Sequence, residues 1–561
     1  MDQQTAPKAE IRADSNQAGE LNFGGPPAAA LLARQVRESM LGVLSQTFTT
    51  APGGRFPVGF VQASVEPRYW WETMWTRDAG TFLRELVHFG WLEHACLNAA
   101  CLMEMVEHNA EGFISYPRYF KFHQHDSGSE LDGTGAIVIA LVLLWECLDA
   151  GHPMRKRIYD FLHRDDSAVA YLAQRVGAVP LISGSGEFGG GCGIEGEYCN
   201  VVQNGLARLS LLAAARLEQQ AGQPALAATY RQGARKLADN MLAHLVDADG
   251  SWIWCVLPDT LKGDPAVLEH KINKGFGGIN GVLCMQSDVL GPDLGSWDWE
   301  AGIDASRRTF ERLLNTPMRR RLLESDGIWT QFDEYLKGLV TSPSYGHAYA
   351  IQCMLLMGRL DLAAKALGWL AERTHHPVAT QKLHRTSPYH FYERMFPDEA
   401  AGQMKLDEGA GALNLVNVSE PLKCARLILG IDDTDPQRLR IAPRLPDGWD
   451  LAEARNWPVR LAGEGSAFST GGGSAFSPGG SSAGSSGGSP AGSPAGEPRL
   501  AGEGDSSRLG RIDLRIVRTG NGGMEVELSC RDGRIGLAEV RDASGRYHAL
   551  TGTDTLRAVL A

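Results

Sequence analysis

The pattern of apolar positions divides the chain into a long helical part and a shorter β part. From about residue 29 to 430, apolar residues recur every three or four positions, as in Leu92, Cys96, Ala99 and Met103. This is the spacing of one helix face. Loops rich in Gly and Pro separate ten such segments: Leu31 to Leu44, Ala79 to Val87, Trp91 to Val106, Gly135 to Leu148, Asn200 to Leu217, Ala225 to Leu245, Ala301 to Leu314, Tyr345 to Met357, Leu360 to Leu370 and Leu413 to Leu429. Helices in series predict a toroid of helical hairpins, and an (α/α)6 barrel needs about twelve of them.

After about residue 431 the apolar period changes from helical spacing to alternation. Arg511 to Ile516 alternates strictly, Asn521-Gly522-Gly523 supplies turn residues, and Met524 to Leu528 alternates again. This pattern predicts a β-hairpin. The predicted fold class is therefore mainly α, with an (α/α)6 toroid over 29–430 and a small C-terminal β domain over 431–561.

Two segments fit neither pattern. Residues 1–28 are polar and aperiodic, so we expect a disordered N-terminal tail. Residues 463–507 are rich in Gly, Ser, Pro and Ala, which predicts a flexible insertion between two strands. The hexapeptide Arg460 to Gly465 recurs at Arg499 to Gly504, which is typical of an expanded insertion.

Composition and charge narrow the range of partners. The chain has 561 residues, of which 43% are hydrophobic, and a net charge of -12 with no run of Lys or Arg longer than three residues. Such a chain can bury a large core, and it favours neither nucleic acid nor an anionic membrane surface as partner. No apolar run approaches the roughly 20 residues of a membrane span, and the first residues lack the pattern of a signal peptide. We expect a cytoplasmic protein, and the sequence leaves its oligomeric state open.

No cofactor or metal is expected. The sequence has no dinucleotide-binding or phosphate-binding fingerprint. His123 and His125 lie two positions apart without a third ligand nearby, which is weak evidence for a metal. The ten cysteines lack short paired spacings and are expected in the core. Cys192 and Cys199 flank a glycine-rich loop, where a disulfide or a metal stays open as an alternative.

One stretch, Tyr69 to Gly80, concentrates three indoles, a guanidinium and a carboxylate. Indole rings stack on the apolar faces of a sugar ring, and an Arg-Asp pair such as Arg77-Asp78 holds neighbouring hydroxyls. The alternative is a buried Trp cluster whose ion pair caps the helix that begins near Ala79.

The tail of this stretch, Trp75-Thr76-Arg77-Asp78 before a small pair and an apolar helix, resembles the signature of glucoamylases, glycoside hydrolase family 15, and of the wider six-hairpin glycosidase group. Leu427 to Asp432, leading to Leu439 to Pro443, resembles the join between barrel and β-sandwich in family 78 α-L-rhamnosidases. The resemblance implies an exo-acting, inverting glycoside hydrolase that releases a terminal sugar from an α-linked oligosaccharide. It implies substrate contacts for Tyr69, Trp75, Arg77 and Asp78, and it leaves the sugar open among glucosides, rhamnosides and less common sugars.

The resemblance also indicates where the general acid lies. The family has a Trp-Glu pair in a loop before an inner helix, and in the loop Gly184 to Tyr198 the nearest match is Glu195. Ile194 stands where the family has Trp, so the acid stays open among Glu195, Glu197 and Glu187. Alternatively, these carboxylates cap the helix at Asn200.

The catalytic base and a further substrate contact fall on two other loops. Glu393, between Tyr392 and Arg394, matches the family's catalytic base; the alternative is a surface pair with Arg394 or a bridge to Arg385. Asp132 lies in a loop similar to the substrate-side loop of six-hairpin enzymes, and we expect it to bind sugar hydroxyls. Its alternative role is an N-cap followed by an Asp-Gly turn.

Two other functions compete with hydrolysis. A polysaccharide lyase or sugar epimerase on a similar toroid would use Tyr and His for proton transfer, with Tyr345, His347 and His390 as candidates. A toroid that binds carbohydrate without catalysis is the second competitor.

Overall fold

A computed structural model describes most of the helical part and both sheets of the β part. The described residues are 18–49, 56–64, 72–121, 124–125, 130–184, 198–253, 255–256, 287–291, 299–315, 331–333, 338–340, 345–375, 388–391, 395–398, 403–406, 415–435, 438–462, 507–520, 522–531, 535, 537–550 and 555–560.

Helices dominate the described residues up to 429. They are α1 (Pro27–Gln46), α2 (Thr76–His88), α3 (Leu92–Glu104), α4 (Leu131–Cys147), α5 (Pro153–Leu162), α6 (Ala168–Ala178), α7 (Val201–Gln220), α8 (Pro224–His244), α9 (Ser287–Leu290), α10 (Glu300–Leu314), α11 (Tyr345–Leu356), α12 (Leu360–Thr374) and α13 (Leu415–Leu429). Every residue of α4 is buried, which identifies it as a helix surrounded by other elements.

Six of these helices form a closed inner ring. α2 packs against α4, α4 against α7, α7 against α9, α9 against α11, α11 against α13, and α13 returns to α2. The helices between them in sequence, α1, α3, α5 with α6, α8, α10 and α12, pack outside this ring. This alternation of inner and outer helices is an (α/α)6 toroid, and the predicted fold class is confirmed.

Small residues let the inner helices approach closely. A Cβ at Gly80 of α2 would lie 2.8 Å from the backbone of Ala136 in α4, and one at Gly135 would lie 3.0 Å from Cβ of Leu206 in α7. Since neither site has room for a methyl group, these helix backbones are in direct contact.

Nine strands, eight after the toroid in sequence and one before it, form two sheets. The first has the order β1-β15-β16-β17-β20 and the second has the order β13-β14-β18-β19. Their strands are β1 (Glu20–Gly24), β13 (Ile431–Asp435), β14 (Arg438–Ile441), β15 (Leu451–Ala462), β16 (Ser507–Arg518), β17 (Met524–Cys530), β18 (Leu537–Arg541), β19 (Tyr547–Ala549) and β20 (Thr555–Leu560). The hairpin predicted around Gly522 is confirmed, because β16 and β17 pair antiparallel from Arg518↔Met524 onward.

A buried cluster of charges joins the toroid to these sheets. Arg460 of β15 forms a salt bridge with Glu146 of α4, and its Nη2 lies 2.6 Å from Oδ1 of Asp433 in β13. Arg216 of α7 donates from Nε to Glu146 at 2.8 Å. Because each carboxylate has a guanidinium partner, the charges are compensated where the two parts meet.

Two sequence expectations need correction or refinement. Residues 20–24 were expected in a disordered tail but form β1, which pairs with β15 from Glu20↔Arg455 to Gly24↔Leu451; for these residues the prediction is wrong. The amphipathic pattern of β1 is too short to be recognised without its distant partner. The short helices α5, α6 and α9 were not predicted.

Of the predicted Gly/Ser/Pro-rich insertion, 463–507, the structure describes only the last residue, Ser507, and it also describes Ala462, which precedes the insertion. Ala462 ends β15 and Ser507 begins β16, and these two residues are paired antiparallel neighbours. The chain between them therefore leaves and re-enters the sheet at adjacent positions.

Eleven strands of two to four residues lie between the helices of the toroid in the described sequence. These are β2 (Thr73–Trp75), β3 (Glu107–His108), β4 (Ile114–Ser115), β5 (Tyr119–Lys121), β6 (Gln124–His125), β7 (Cys199–Asn200), β8 (Cys255–Val256), β9 (Gln331–Asp333), β10 (Gly338–Val340), β11 (Met395–Asp398) and β12 (Gln403–Leu406).

Candidate active site

The N-termini of at least four inner helices lie at one end of the toroid. α2 and α4 run parallel, since Gly133 lies against Thr76 and Gly80 lies against Ala136. α7 follows α4, with Ser210 Oγ donating to the Gly135 carbonyl at 3.1 Å and Arg216 bonded to Glu146. α13 runs parallel to α2, because Thr81 meets Ser419 and Glu85 meets Arg426. The positive ends of these helix dipoles therefore gather at one end.

Trp75, Arg77 and Asp78 lie at this end, where β2 passes into α2. Trp75 is the N-cap residue, and Asp78 lies in the first turn. The helix thus begins three residues earlier than predicted, so the Arg-Asp pair lies inside the first turn. Arg77 Nη2 donates to Asp78 Oδ1 at 3.3 Å, and the two side chains are 9% and 6% exposed. A buried pair of this kind presents donors and an acceptor to hydroxyls in a dry environment.

The segment from Tyr116 to Tyr119 runs between the starts of α2 and α4. Thr76 donates from its Oγ1 to the Pro117 carbonyl at 2.7 Å and from its N–H to the Arg118 carbonyl at 3.1 Å. The Tyr116 N–H donates to Oγ1 of Thr134 at 3.2 Å. These bonds fix the segment to both helices.

Asp132 lies in the first turn of α4 and is 2% exposed. The N-cap position belongs to Glu130, and Asp132 Oδ1 accepts the Gly133 N–H at 3.0 Å. The alternative of Asp132 as an N-cap is therefore wrong. A Cβ at Gly133 would lie 2.4 Å from Thr76 Oγ1 and 3.1 Å from the backbone nitrogen of Arg77. Gly133 therefore packs against Thr76 and Arg77, which places the neighbouring Asp132 close to the start of α2.

The three candidates for the acid, Glu187, Glu195 and Glu197, lie outside the described residues, whereas the ends of their loop are described. Gly184 and Tyr198 form an isolated antiparallel bridge. A Cβ at Gly184 would lie 3.2 Å from Cβ of Leu131, the residue before Asp132. The loop is therefore anchored at the start of α4.

The alternative role of these carboxylates was to cap helix α7, but Asn200 already caps it. Asn200 is the N-cap of α7, and its side chain accepts the Gln203 N–H at 2.6 Å. Asn204 further ties the helix start to Ile182 through two hydrogen bonds of 2.9 and 3.1 Å. An amide side chain of the helix itself thus occupies the capping position. Cys199, which precedes the cap, is buried, while Cys192 lies outside the described residues.

Glu393 also lies outside the described residues, between two described anchors. On its N-terminal side, the Phe391 N–H donates to Ser39 Oγ of α1 at 3.2 Å, and Phe391 is fully buried. On its C-terminal side, β11 pairs with β12 from Met395↔Leu406. Tyr69, the remaining predicted substrate contact, lies outside the described residues as well.

The structure adds Arg118 and Tyr119, which the sequence analysis did not identify. Tyr119 lies directly opposite Trp75 in the β2–β5 pair, and their ring centroids are 5.3 Å apart. The Arg118 guanidinium carbon lies 5.6 Å from the centroids of both rings. Nothing in the local sequence marks these residues, because their relation to Trp75 depends on strand pairing.

The histidines that a lyase or epimerase would use are buried in helix contacts. His347 is fully buried, and its Nε2 lies 2.9 Å from the Ala366 carbonyl of α12. Burial lowers the pKa of His347 to about 4. Burial also lowers the pKa of His390 to about 4, partly opposed by a hydrogen bond with the Glu38 backbone. Neither ring has the access to solvent that proton exchange with a substrate requires.

Two negative findings concern the described part of the chain. Within it, no group of three or more His, Cys, Asp or Glu side chains is placed to hold a metal ion. None of the helices found there combines the length and the apolar character needed to cross a membrane.

Comparison with solved structures shows what this chain resembles. α-L-Rhamnosidases from Aspergillus terreus and Streptomyces avermitilis each match 97% of the chain with a TM-score of 0.52 and 12% identity, and one from Dictyoglumus thermophilum matches 96% with 0.51 and 10%. The shared feature is the fold, a helical toroid followed by a β domain. The match spans 50%, 42% and 49% of those longer chains, so this chain covers about half of their length. No protein-family model and no curated protein matches the sequence.

Proposed function

We propose that this chain is a glycoside hydrolase that releases a terminal sugar from an α-linked oligosaccharide with inversion. The observation that carries the proposal is the meeting of Trp75, the Arg77–Asp78 pair and Asp132 at one end of the toroid. Stacking surface, paired donors and carboxylates are the groups that hold a pyranose. The fold shared with α-L-rhamnosidases supports the same class of reaction.

The proposed chemistry uses two carboxyl groups. Glu195, or its neighbours Glu197 or Glu187, donates a proton to the glycosidic oxygen as the bond to the anomeric carbon breaks. Glu393 takes a proton from a water molecule, whose oxygen forms the new bond on the opposite face of the sugar. An inverting pair requires about 6.5–9.5 Å between the carboxyl groups, whereas a retaining pair requires about 5 Å.

The division of the chain follows from this assignment. We place the chemistry in residues 29–430 and treat 431–561 as a β domain that supports the toroid. A neutral oligosaccharide or glycoside is the proposed partner, with glucosides and rhamnosides as the first sugars to test.

A panel of nitrophenyl α-glycosides and α-linked oligosaccharides tests the reaction class. Hydrolysis releases free monosaccharide, whereas a lyase forms an unsaturated product that absorbs ultraviolet light. NMR of the first-formed sugar should show the anomer opposite to that of the substrate. Retention of the anomer would refute inversion, and sugar binding without any turnover would favour the carbohydrate-binding alternative.

Variants of the carboxyl groups separate the acid from the base. Glu393→Gln should abolish hydrolysis and preserve substrate binding. Glu195→Gln should retain activity on nitrophenyl glycosides, because their leaving group needs little protonation, and lose activity on oligosaccharides. If Glu197→Gln or Glu187→Gln shows this selective retention instead, the acid is that residue. If none of them does, the acid lies elsewhere in the chain.

A further inference from the structure

A small apolar cavity lies between helix α1, the start of strand β1 and the turn that follows α2. Its volume is about 150 Å³, which is enough for a benzene-sized apolar group. Side chains from one face of α1 line it on one side, and aromatic side chains line it from the turn. The apolar lining includes Leu21, Val36, Met40, Leu41, Phe89 and Trp91. A cavity with such walls gains stability when an apolar side chain fills it.

Two charged residues also line the cavity, Arg37 of α1 and Glu20 at the start of β1. Both are exposed, and within the described residues neither side chain has a hydrogen bond, an ion pair or a ring contact. Arg455, the pairing partner of Glu20 in the sheet, is bonded to Glu453 at 3.0 Å instead. The rim of the cavity thus presents one cation and one anion that the described residues do not pair.

The chain enters the described part of the structure at this cavity, because Ala18 is both the first described residue and part of the lining. Residues 1–17 are therefore tethered beside it. Ile11 is the one large apolar residue of 2–17. The six residues between Ile11 and Ala18 include Asp, Ser and Asn, which favour turns, and their number is sufficient to reverse the chain.

The neighbours of Ile11 match the rim in charge. Glu10 precedes Ile11 and Arg12 follows it. In an extended segment, the side chains at 10 and 12 point away from the side chain at 11. Glu10 and Arg12 can therefore reach the rim while Ile11 enters the cavity, where its four-carbon side chain fits the available volume.

We propose that the cavity is the docking site of Glu10–Arg12 of the same chain, with Ile11 inside it. Glu10 pairs with Arg37, and Arg12 pairs with Glu20. Burial of Ile11 supplies the stabilising contribution, whereas the exposed ion pairs add little energy and set the orientation of the segment. The docked segment connects α1 of the toroid with β1 of the larger sheet, and this inference does not depend on hydrolase activity.

Limited trypsin digestion of the full-length protein tests the docking, because trypsin cleaves after Lys8 and after Arg12. Docking protects the bond after Arg12, while the bond after Lys8 lies outside the docked residues and is the internal control. Ile11→Ser should raise the rate of cleavage after Arg12 by about tenfold or more, since cleavage follows the population of the open segment. Synthetic peptides of residues 5–17 with and without the substitution correct for its direct effect on trypsin.

Arg37→Gln tests the charge pairing without altering the sequence that trypsin reads. It should raise cleavage after Arg12 by about two- to threefold, the range expected for an exposed ion pair. Arg157→Gln is the matched control, because Arg157 is a half-exposed arginine of α5 that pairs with Glu104 at 2.8 Å. That control should match the wild type.

A pair of cysteine substitutions tests the position of the segment directly. Leu41 is a half-buried lining residue of α1, so Ile11→Cys with Leu41→Cys should form a disulfide between positions 11 and 41 under mild oxidation. Ile11→Cys with Ser45→Cys is the matched control, because Ser45 is exposed and lies one turn further along the same face of α1, outside the cavity. Mass spectrometry of the digested proteins should show the 11–41 disulfide in at least tenfold higher yield.

Three results would overturn the docking site. Equal corrected cleavage after Arg12 in the wild type and in Ile11→Ser means that Ile11 is not held, and equal yields of the two disulfides place it outside the cavity. Protection that rises with protein concentration assigns the cavity to the segment of a second copy. Unchanged protection in Arg37→Gln refutes the charge pairing. Since none of these measurements uses turnover, the proposed glycoside hydrolase function stands or fails separately.

Discussion

At the residue scale, burial strengthens the electrostatic interaction between Arg77 and Asp78. The two side chains are 9% and 6% exposed, so water screens the interaction between their charges only weakly. Removing one partner from a buried pair costs far more than breaking an exposed pair. The same desolvation strengthens any hydrogen bond that the pair makes to a sugar hydroxyl.

Asp78→Asn should therefore lower kcat/KM by about 100-fold, which corresponds to about 3 kcal/mol of transition-state binding. The amide keeps an oxygen acceptor but removes the negative charge beside the Arg77 guanidinium. Asp361→Asn is the control, because Asp361 pairs with Arg359 at 3.0 Å while both side chains are about half exposed. Steady-state kinetics on the best nitrophenyl glycoside provides the measurement. Equal kcat/KM for the two variants would contradict a role of Asp78 in substrate binding.

The sequence marks these residues because they are adjacent and unusual in composition. Trp75, Arg77 and Asp78 are recognisable within a few positions, and the helix that carries them has a clear apolar period. Arg118 and Tyr119 have no such local signal. Their contact with Trp75 arises from pairing of β2 with β5, which lie more than 40 residues apart, and a single sequence does not specify that pairing.

At the element scale, the contact between α2 and α4 depends on a residue without a side chain. Gly133 lies in the first turn of α4, where an added Cβ would be 2.4 Å from Thr76 Oγ1. That oxygen is held by the Pro117 carbonyl, so Thr76 has little freedom to move away. A local shift there would displace Asp132 and Arg77 relative to each other.

Gly133→Ala should lower both the thermal unfolding midpoint and kcat/KM. The expected destabilisation is about 1–3 kcal/mol, the usual range for overpacking. Gly177→Ala is the matched control, since Gly177 lies in helix α6 with nothing within 4 Å of the added methyl group. There the substitution should leave activity unchanged and stability equal or slightly higher. A Gly133→Ala protein with wild-type stability would show that α4 adjusts without strain.

A second element-scale feature is the histidine between α11 and α12. His347 packs 4.8 Å from the Trp369 ring, and burial lowers its pKa to about 4. In the unfolded chain a histidine takes up a proton near pH 6.5. Between pH 6.5 and about 4, His347 is therefore protonated in the unfolded state and neutral in the folded state. Its stabilising contribution is complete above pH 6.5 and is lost as pH falls toward 4.

His347→Gln should flatten the pH dependence of stability. The glutamine amide can still donate to the Ala366 carbonyl but does not titrate. The wild-type free energy of unfolding should fall by about 1.4 kcal/mol per pH unit more steeply than that of the variant across this window. Urea denaturation at a series of pH values measures both slopes. Parallel profiles would mean that His347 is protonated in the folded protein at these pH values.

At the scale of the whole molecule, helix and strand patterns were sufficient to predict the order of the two parts. The fold class could be predicted because both periods are local properties of the chain. One helix of the inner ring, α9, is described over only four residues, which are too few to show an apolar period. The acid and the base were assigned by resemblance, because the sequence around Glu195 and Glu393 has no apolar period.

The repeated hexapeptide defines the bounds of a deletion that removes most of the Gly/Ser/Pro-rich insertion and keeps one copy of the repeat. Removing residues 463–501 joins Ala462 to Gly502 and restores a single Arg-Leu-Ala-Gly-Glu-Gly sequence. Five residues, 502–506, then connect the paired positions Ala462 and Ser507, a length that hairpins commonly use. Thermal unfolding and kcat/KM should match the wild type, because the removed composition cannot form a packed core. Loss of solubility or of most activity would show that the tract has a structural role.

The position of β1 determines when the larger sheet can be completed. Asn22 of β1 is paired with Glu453 of β15, 431 positions later in the chain. A ribosome therefore makes β1 long before the strand that it pairs with. Contacts between such distant positions form slowly, since the loop that they close is long. Until they form, the edge of β15 that faces β1 stays open to other strands. The docking of the five residues of β1 is thus a folding step exposed to aggregation.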